Sequence, residues 1–456
     1  MKELNRSVCR QNFEIMKAKR PVQSKGKLIT KIISNNVLNR LAIRSGFKKR
    51  KHKKISPLTI IISYLNFIGE SGFSFSAWAV EMSTFIKCTI SKQGIYKRIT
   101  AAFVNYLKLV LEKIIMVQIQ AKPVKKTRYF TAFKNVYLHD ATSFGLPLHL
   151  VDSFPGNTTG GIKRSVAKIQ TVFNLTKRCF SFFEVTNYLN PDTRSTPVVN
   201  QLIKAGDLVI RDLGYFGMNC FNEIIQAKAY FLSRYKHNVA IKDNESLKSL
   251  SLVKILKKKK FIDAQVWMSS LMPTPLRLVA IELPSQIASA RRRWARKDRR
   301  NTRINHSKEY YFLLGYAIYI TNVGEATWSA NDISQAYRCR WYIENVFKSW
   351  KSHLSAHYCG PDKYANPLTV QTHFYLLLIY VCIMVMPLLI MLENYLHKKK
   401  RKIQISLFKL TDYVAAEFKE LLNATFSKKL IESIIYYAKY DKRSDYKNFN
   451  QLLFYQ

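Results

Sequence analysis

Three acidic side chains stand where their neighbours would let them do chemistry. Asp140 is the first aspartate of the chain and closes an apolar run, "NVYLHDATSF" (135–144), with Thr142 and Ser143 just behind it. Asp212 holds the matching place in "GDLVIRDLGYF" (206–216), where Gly214 is expected to turn the chain. Glu344 is the single acid in "YRCRWYIENVFKSWK" (337–351), a stretch otherwise rich in basic and aromatic residues. Carboxylates of this kind bind Mg²⁺ and leave coordination places for waters and phosphate oxygens. An aspartate alone at the end of a strand is more often a turn residue, so the question is whether the three can meet.

Two strands and one helix would have to bring them together. In an α/β sheet the strand ends gather at one edge, where Asp140 and Asp212 can converge on one cleft. On a continuous helix at about 100° per residue, Tyr337, Arg340, Glu344 and Lys351 fall within a stripe about 60° wide, with Lys348 at its edge. Ile343, Val346, Phe347 and Trp350 form a neighbouring apolar seam that can anchor the helix on the sheet. An ion pair with Arg340 or Lys348 would satisfy Glu344. It would leave the alignment of Tyr337 and Lys351 unexplained.

The rest of the chain narrows the partner. Its 456 residues hold 74 Lys and Arg against 29 Asp and Glu, a net charge of +45. A surplus of that size creates a field whose natural partner is a nucleic acid. With 48% hydrophobic residues the chain is globular. Seven scattered cysteines, none spaced C-x2-C, exclude a zinc ribbon and a disulfide framework and fit a reducing cytosol. The N-terminus lacks the apolar stretch of a secretory signal. Residues 374–392 carry no charge and at about 1.5 Å per residue could nearly span a bilayer, but an isolated segment with Pro387 near its end reads better as a buried core helix.

Residues 1–130 read as helical and basic, with five acids (Glu3, Glu14, Glu70, Glu81, Glu112) and no aspartate. Within them 71–99 suggests two short helices, the first capped by Ser74 or Ser76 and the second by Ser91. The second would present Lys92 and Gln93, then Tyr96, Lys97 and Arg98, to DNA. From about 134 short apolar runs predict a mixed α/β sheet, with "AKIQTVFNLT" and "CFSFFEVTNYL" as a hairpin and "AYFLSRYKHN" as a further strand. Residues 239–325 insert more strand-like runs, "AQVWMSS", "LRLVAIEL" and "YYFLLGYAIYITN", around the arginine-dense "ARRRWARKDRRNTR" (290–303).

Tyr337-x2-Arg340-x3-Glu344-x6-Lys351 resembles the YREK pattern of a group of insertion-sequence DDE transposases, spacing included. Asp140 in "HDATSF" and Asp212 in "IRDLGYF" resemble that family's two aspartates, and "TNV" (321–323) and "FLSRYKHN" are further similar phrases. The resemblance implies a ribonuclease-H-like mixed sheet flanked by helices (131–395), interrupted by a β-rich insertion (239–325). A helical N-terminal DNA-binding region (1–130) would precede it, and a basic helical region for dimerisation (396–456) would follow. It implies catalysis and metal binding by Asp140, Asp212 and Glu344. Two Mg²⁺ ions, replaceable by Mn²⁺, would activate the attacking hydroxyl and stabilise the leaving oxygen. Tyr337, Arg340 and Lys351 would bind phosphates of the element's end and steady a flipped base, with Lys348 beside them. Trp294 is the candidate stacking platform, ahead of Trp267 and Trp328. The expected partners are double-stranded DNA of the element ends and target, and a second copy of the chain in a synaptic dimer. Neither a small-molecule substrate nor a membrane is expected, and the expected place is the cytoplasm, on the nucleoid. The competing readings are a catalytically silent DNA-binding repressor, which the complete triad opposes, a membrane-anchored protein, and a structure-specific nuclease of the same fold.

Overall fold

Hydroxyl caps open the described helices of the N-terminal region. A computed structural model describes residues 32–49, 55–66, 74–120, 128–158, 160–243, 248–268, 274–302, 306–354 and 365–441. Within the N-terminal region α1 (Asn35–Arg44), α2 (Pro57–Leu65), α3 (Phe75–Ile86), α4 (Lys92–Tyr96) and α5 (Ala101–Ile119) start behind Ser34, Ser56, Ser74, Ser91 and Thr100. Each of those hydroxyls accepts an amide hydrogen bond from the first turn, replacing a partner the helix cannot supply itself. Residues 1–31, part of the basic region read from the sequence, lie outside the described residues.

The expected pair of short helices is present as α3 and α4, separated where Lys87 adopts a left-handed conformation at φ 52°. The second is shorter than the sequence suggests. It ends at Tyr96, so Lys97 and Arg98 lie beyond it, and the Arg98 guanidinium turns back onto the Gly94 carbonyl. Gly94 is a weak helix former, and Thr100 offers a competing start for α5.

The strands are β1 (Val136–Leu146), β2 (Ser165–Asn174), β3 (Cys179–Asn187), β4 (Leu208–Arg211) and β5 (Tyr230–Arg234), in sheet order 3-2-1-4-5. β1, β2 and β3 pair antiparallel, while β4 lies parallel to both β1 and β5. This is the ribonuclease-H-like arrangement. α6 (Thr196–Asn200) and α7 (Met218–Gln226) connect the parallel strands. One face buries Leu138, Ile210 and Phe173 beneath α5 and the later helices. The other buries Tyr137, Val209 and Phe231 with Phe221 and Ile224 of α7.

Two details depart from the pattern expected of the sequence. β1 does not stop at Asp140 but runs on to Leu146, because β2 continues to pair with it; only its parallel pairing with β4 ends, at His139. The insertion is as helical as it is stranded. β6 (Ile241–Lys242) and β7 (Ser249–Leu250) form a small hairpin, and β8 (Phe261–Val266), β9 (Leu276–Glu282) and β10 (Tyr316–Thr321) extend the main sheet beyond β5. Between them lie α8 (Leu252–Lys258), α9 (Ser285–Thr302) and α10 (Lys308–Leu313). The arginine-dense run is therefore a helix, and "YYFLLG" belongs mostly to α10 before the strand begins.

After β10 come α11 (Ala330–Arg338) and α12 (Trp341–His353). By periodicity they read as one helix. The chain instead tightens between them: the amides of Cys339, Arg340 and Tyr342 donate to carbonyls three residues back, at 3.1 Å each. The angular stripe is therefore not uniform, since tight turns rotate successive side chains by more than an α-helix does. The apolar seam of α12 does. Ile343, Val346, Phe347 and Trp350 are all buried, and the Trp350 ring meets Phe180 of β3 at 5.7 Å.

The uncharged segment forms α13 (Pro367–Tyr380), a π-helical turn (Val381–Val385) and α14 (Met386–Lys398). Pro387 has no amide hydrogen to give the helix, and the widened turn just before it absorbs the mismatch. This helix is apolar enough to cross a membrane, yet 83% of its most apolar window is buried within the protein. α15 (Leu407–Asn423) packs on α12, and α16 (Lys428–Ala438) packs on α15. Residues 442–456 of the expected C-terminal region lie outside the described residues.

Candidate active site

The register of two strands sets the first pair of acids. His139 of β1 is the parallel partner of Arg211 of β4, so the next residues, Asp140 and Asp212, emerge side by side at the edge where that pairing ends. The pair below is locked on the opposite face. Arg211, fully buried, donates from Nε to His139 Nδ1 at 3.0 Å and from Nη2 to Asn200 Oδ1 at 2.7 Å. His139 Nε2 lies 3.1 Å from Ser195 Oγ, whose hydroxyl donates to the Asp192 carbonyl at 2.8 Å. Burial and the adjacent arginine hold the His139 imidazole well below its usual range. It is therefore neutral, accepting at Nδ1 and donating at Nε2.

Gly214 sits in the tight turn expected of it, Leu213–Tyr215, and it also faces a second segment. A Cβ there would meet Asp192 Oδ2 at 2.8 Å, so a larger residue would push the Asp192 carboxylate aside. Asp192 in turn accepts from Lys168 Nζ and Gln170 Nε2, both at 2.9 Å, and Gln170 Oε1 accepts the Tyr215 hydroxyl at 2.5 Å. This network fixes the loop that carries Asp212.

Glu344 reaches the aspartates through an arginine. Arg340 lies at the break between α11 and α12, its side chain 7% exposed, and its guanidinium faces all three acids. Nη1 is 2.9 Å from Asp140 Oδ2, Nη2 is 2.6 Å from Glu344 Oε1, and Nε is 3.8 Å from Asp212 Oδ1. Tyr337, from the last turn of α11, donates its hydroxyl to the same Asp212 oxygen at 3.1 Å, and the Arg234 guanidinium lies 5.4 Å from its ring centroid. Burial pushes the Asp140 carboxyl up to about 7, against the pull of Arg340 and of the Ala141 amide. Burial also raises the Tyr337 phenol, with Asp212 adding to it. Burial disfavours the charge on Arg340, but Asp212, Tyr337, Asp140 and Glu344 more than restore it.

Five residues singled out from the sequence thus meet: Asp140, Asp212, Glu344, Tyr337 and Arg340. Tyr337 and Arg340 are buried and turned toward the acids, whereas the family resemblance implies that they contact DNA. Lys348 and Lys351 stay on the exposed side of α12, Lys348 5.7 Å from the Trp341 ring and Lys351 5.2 Å from the Phe144 ring. Trp294 on α9 is 65% exposed, and Lys92 and Gln93 are exposed at the start of α4; no contact among the described residues ties these three to the acids. Trp328 is not available as a platform: it is buried, with its indole N–H donating to the Tyr129 carbonyl at 2.7 Å. Sequence pattern does not single out His139, Arg211, Arg234 or the exposed Trp341. The first two are marked only by each preceding an aspartate, and the last two by lying inside phrases that stand out for other residues.

Among the described residues no three His, Cys, Asp or Glu side chains stand close enough to grip one metal ion. The donor chemistry still suits a divalent cation. Three carboxylates converge on one cationic centre, and that centre, Arg340, has a buried Nε with no hydrogen-bond partner.

Comparison with known proteins gives the family. A family profile described as "Transposase DDE domain" matches residues 131–380. A transposase for insertion sequence element IS231D of Bacillus thuringiensis subsp. finitimus is 26% identical over 396 residues, covering 81% of each chain. The IS231B transposase of Bacillus thuringiensis subsp. berliner is 27% identical over 374 residues, 77% of each. A transposase for IS1151 of Clostridium perfringens is 22% identical over 346 residues, 72% of this chain and 73% of that one.

Proposed function

The chain belongs to the DDE-domain transposase family, and from that premise we propose that Asp140, Asp212 and Glu344 are its catalytic triad. As a member of that family it is a DNA transposase that cleaves and joins DNA with the help of divalent metal. The observation that carries the site assignment is the convergence of three acids from β1, the end of β4 and α12 on one point. Mg²⁺ is the proposed ion, two per site, with Mn²⁺ as its substitute; when bound they supply charge for the attacking and leaving oxygens of a phosphodiester.

The chain's own residues do the rest. The His139–Arg211 pair fixes the separation of Asp140 and Asp212, and the seam of α12 fixes Glu344 above them. Lys348 and Lys351, on the solvent side of the same helix, receive backbone phosphates. Lys92 and Gln93 contact the element end from α4, and Trp294 offers an aromatic face to an unpaired base. The active species is a homodimer holding two ends, and its DNA substrate places it in the bacterial cytoplasm.

Glu344→Ala is the test. It should lower metal-dependent cleavage of an end-bearing duplex on the order of 10³-fold or more, while end binding stays within a few-fold. Cleavage at the wild-type rate would remove Glu344 from the site.

A further inference from the structure

Three carboxylates brought together without a cation would repel one another and lose their hydration. In this structure the cation is Arg340. Its fork spans Asp140 and Glu344 directly, at 2.9 and 2.6 Å, and Asp212 lies 3.8 Å from Nε. The acids are held by this guanidinium and, as they stand, no three of them grip a metal ion. Arg340 is also incompletely satisfied here, because its buried Nε makes no hydrogen bond. A second place is close at hand: the guanidinium carbon lies 6.0 Å from the ring of Trp341, which is 46% exposed on the adjoining turn. Arg340 also lies at the junction of two helices, where a small backbone adjustment need not bend a continuous rod.

We propose that Arg340 is the resident counter-ion of the metal-free site and is exchanged for divalent cation when metal binds. This rests on the triad being the metal-binding set. A guanidinium and a divalent cation repel each other and require the same carboxylate lone pairs, so one excludes the other. Once displaced, the guanidinium passes across Trp341 to solvent, where its fork matches a DNA phosphate. Metal and DNA binding are thereby coupled through one side chain: each removes Arg340 from the state that opposes the other, and the coupling is reciprocal.

Mn²⁺ binding to the full chain, followed by the electron paramagnetic resonance of the free ion, tests this without reading activity. In the absence of DNA, Arg340→Gln should bind Mn²⁺ about tenfold or more tightly than the wild-type chain, since a competing charge has gone. Its metal-free form should melt below the wild type and regain more on adding Mn²⁺. An end duplex should tighten Mn²⁺ binding in the wild type and leave the Arg340→Gln value unchanged. Equal or weaker Mn²⁺ affinity in folded Arg340→Gln overturns the proposal. Arg340→Lys serves if the glutamine variant does not fold: one ammonium cannot span the acids as the fork does, so its Mn²⁺ affinity should exceed the wild type's, and parity overturns the exchange. Asp140→Asn separates this proposal from the site assignment beneath it. Loss of binding in Asp140→Asn with no gain in Arg340→Gln would leave the metal site standing and sink the exchange. A gain in Arg340→Gln that survives Asp140→Asn would put the ion elsewhere and overturn both.

Discussion

Arg340 and Arg211 are both buried arginines, and the groups around them give them different work. Arg211 meets neutral acceptors, His139 Nδ1 and Asn200 Oδ1, so it is held as a strut between two strands. Arg340 meets carboxylates that another cation can claim, so its place is conditional. The same distinction of surroundings sorts the tryptophans. Trp328 is committed to the core by its hydrogen bond to Tyr129, whereas Trp294 is 65% exposed with Lys297 5.3 Å from its ring. Trp294→Ala should therefore leave the melting temperature unchanged and weaken binding to a duplex with an unpaired base on the order of tenfold, since stacking contributes about 1–3 kcal/mol per base. Equal affinities for that duplex in a gel-shift titration would remove Trp294 from the interface.

At the level of elements, α12 is two surfaces on one rod, and they should respond differently to mutation. Trp350 is buried against Phe180 and Phe183, and truncation to alanine should cost about 3–5 kcal/mol in denaturant unfolding. Lys348 and Lys351 are exposed, so replacing both with alanine should change stability by no more than about 0.5 kcal/mol. The same double change should reduce the slope of log affinity for DNA against log salt by about 2, because two phosphates would no longer be neutralised. An unchanged slope would mean that this face does not meet the DNA backbone. The break before α12 matters as much as its faces, since it turns Arg340 into the acids.

At the scale of the whole molecule, the extended sheet gives the chain a single framework from β3 to β8, with the edge that carries Asp140 and Asp212 near its middle. The helix most apolar by composition spends that character on the core, packed against α5 and α2 of the N-terminal region and α15 of the C-terminal one. Of the described C-terminal helices α15 packs on α12 and α16 on α15, with Tyr436 64% exposed on α16 and Tyr440 just past it 50% exposed. A dimer bridging two element ends is the expected assembly, and light scattering of the end-bound protein should return the mass of two chains. A mass of one chain at saturating DNA would exclude that assembly.

Much of this is legible in the chain itself because it depends on local pattern. Short β-branched and aromatic runs specify the strands, Ser74 and Ser91 mark the starts of the paired short helices, and the residues before and after each aspartate mark strand edges. Asp140, Asp212 and Glu344 likewise stand out in the chain by residue type and by the family pattern they resemble. What the sequence alone does not determine depends on partners distant along the chain. β1 continues past Asp140 only because β2 lies beside it, and the insertion's strands join the main sheet only because β5 offers a free edge. A helical stripe predicts Tyr337, Arg340 and Glu344 on one face, but a break between helices and three acids from separate elements decide where they point. Side-chain type sets which bonds a residue can make. Only the assembled fold decides which partner is within about 3 Å, the reach of a hydrogen bond, and in this protein that choice put an arginine among the three acids.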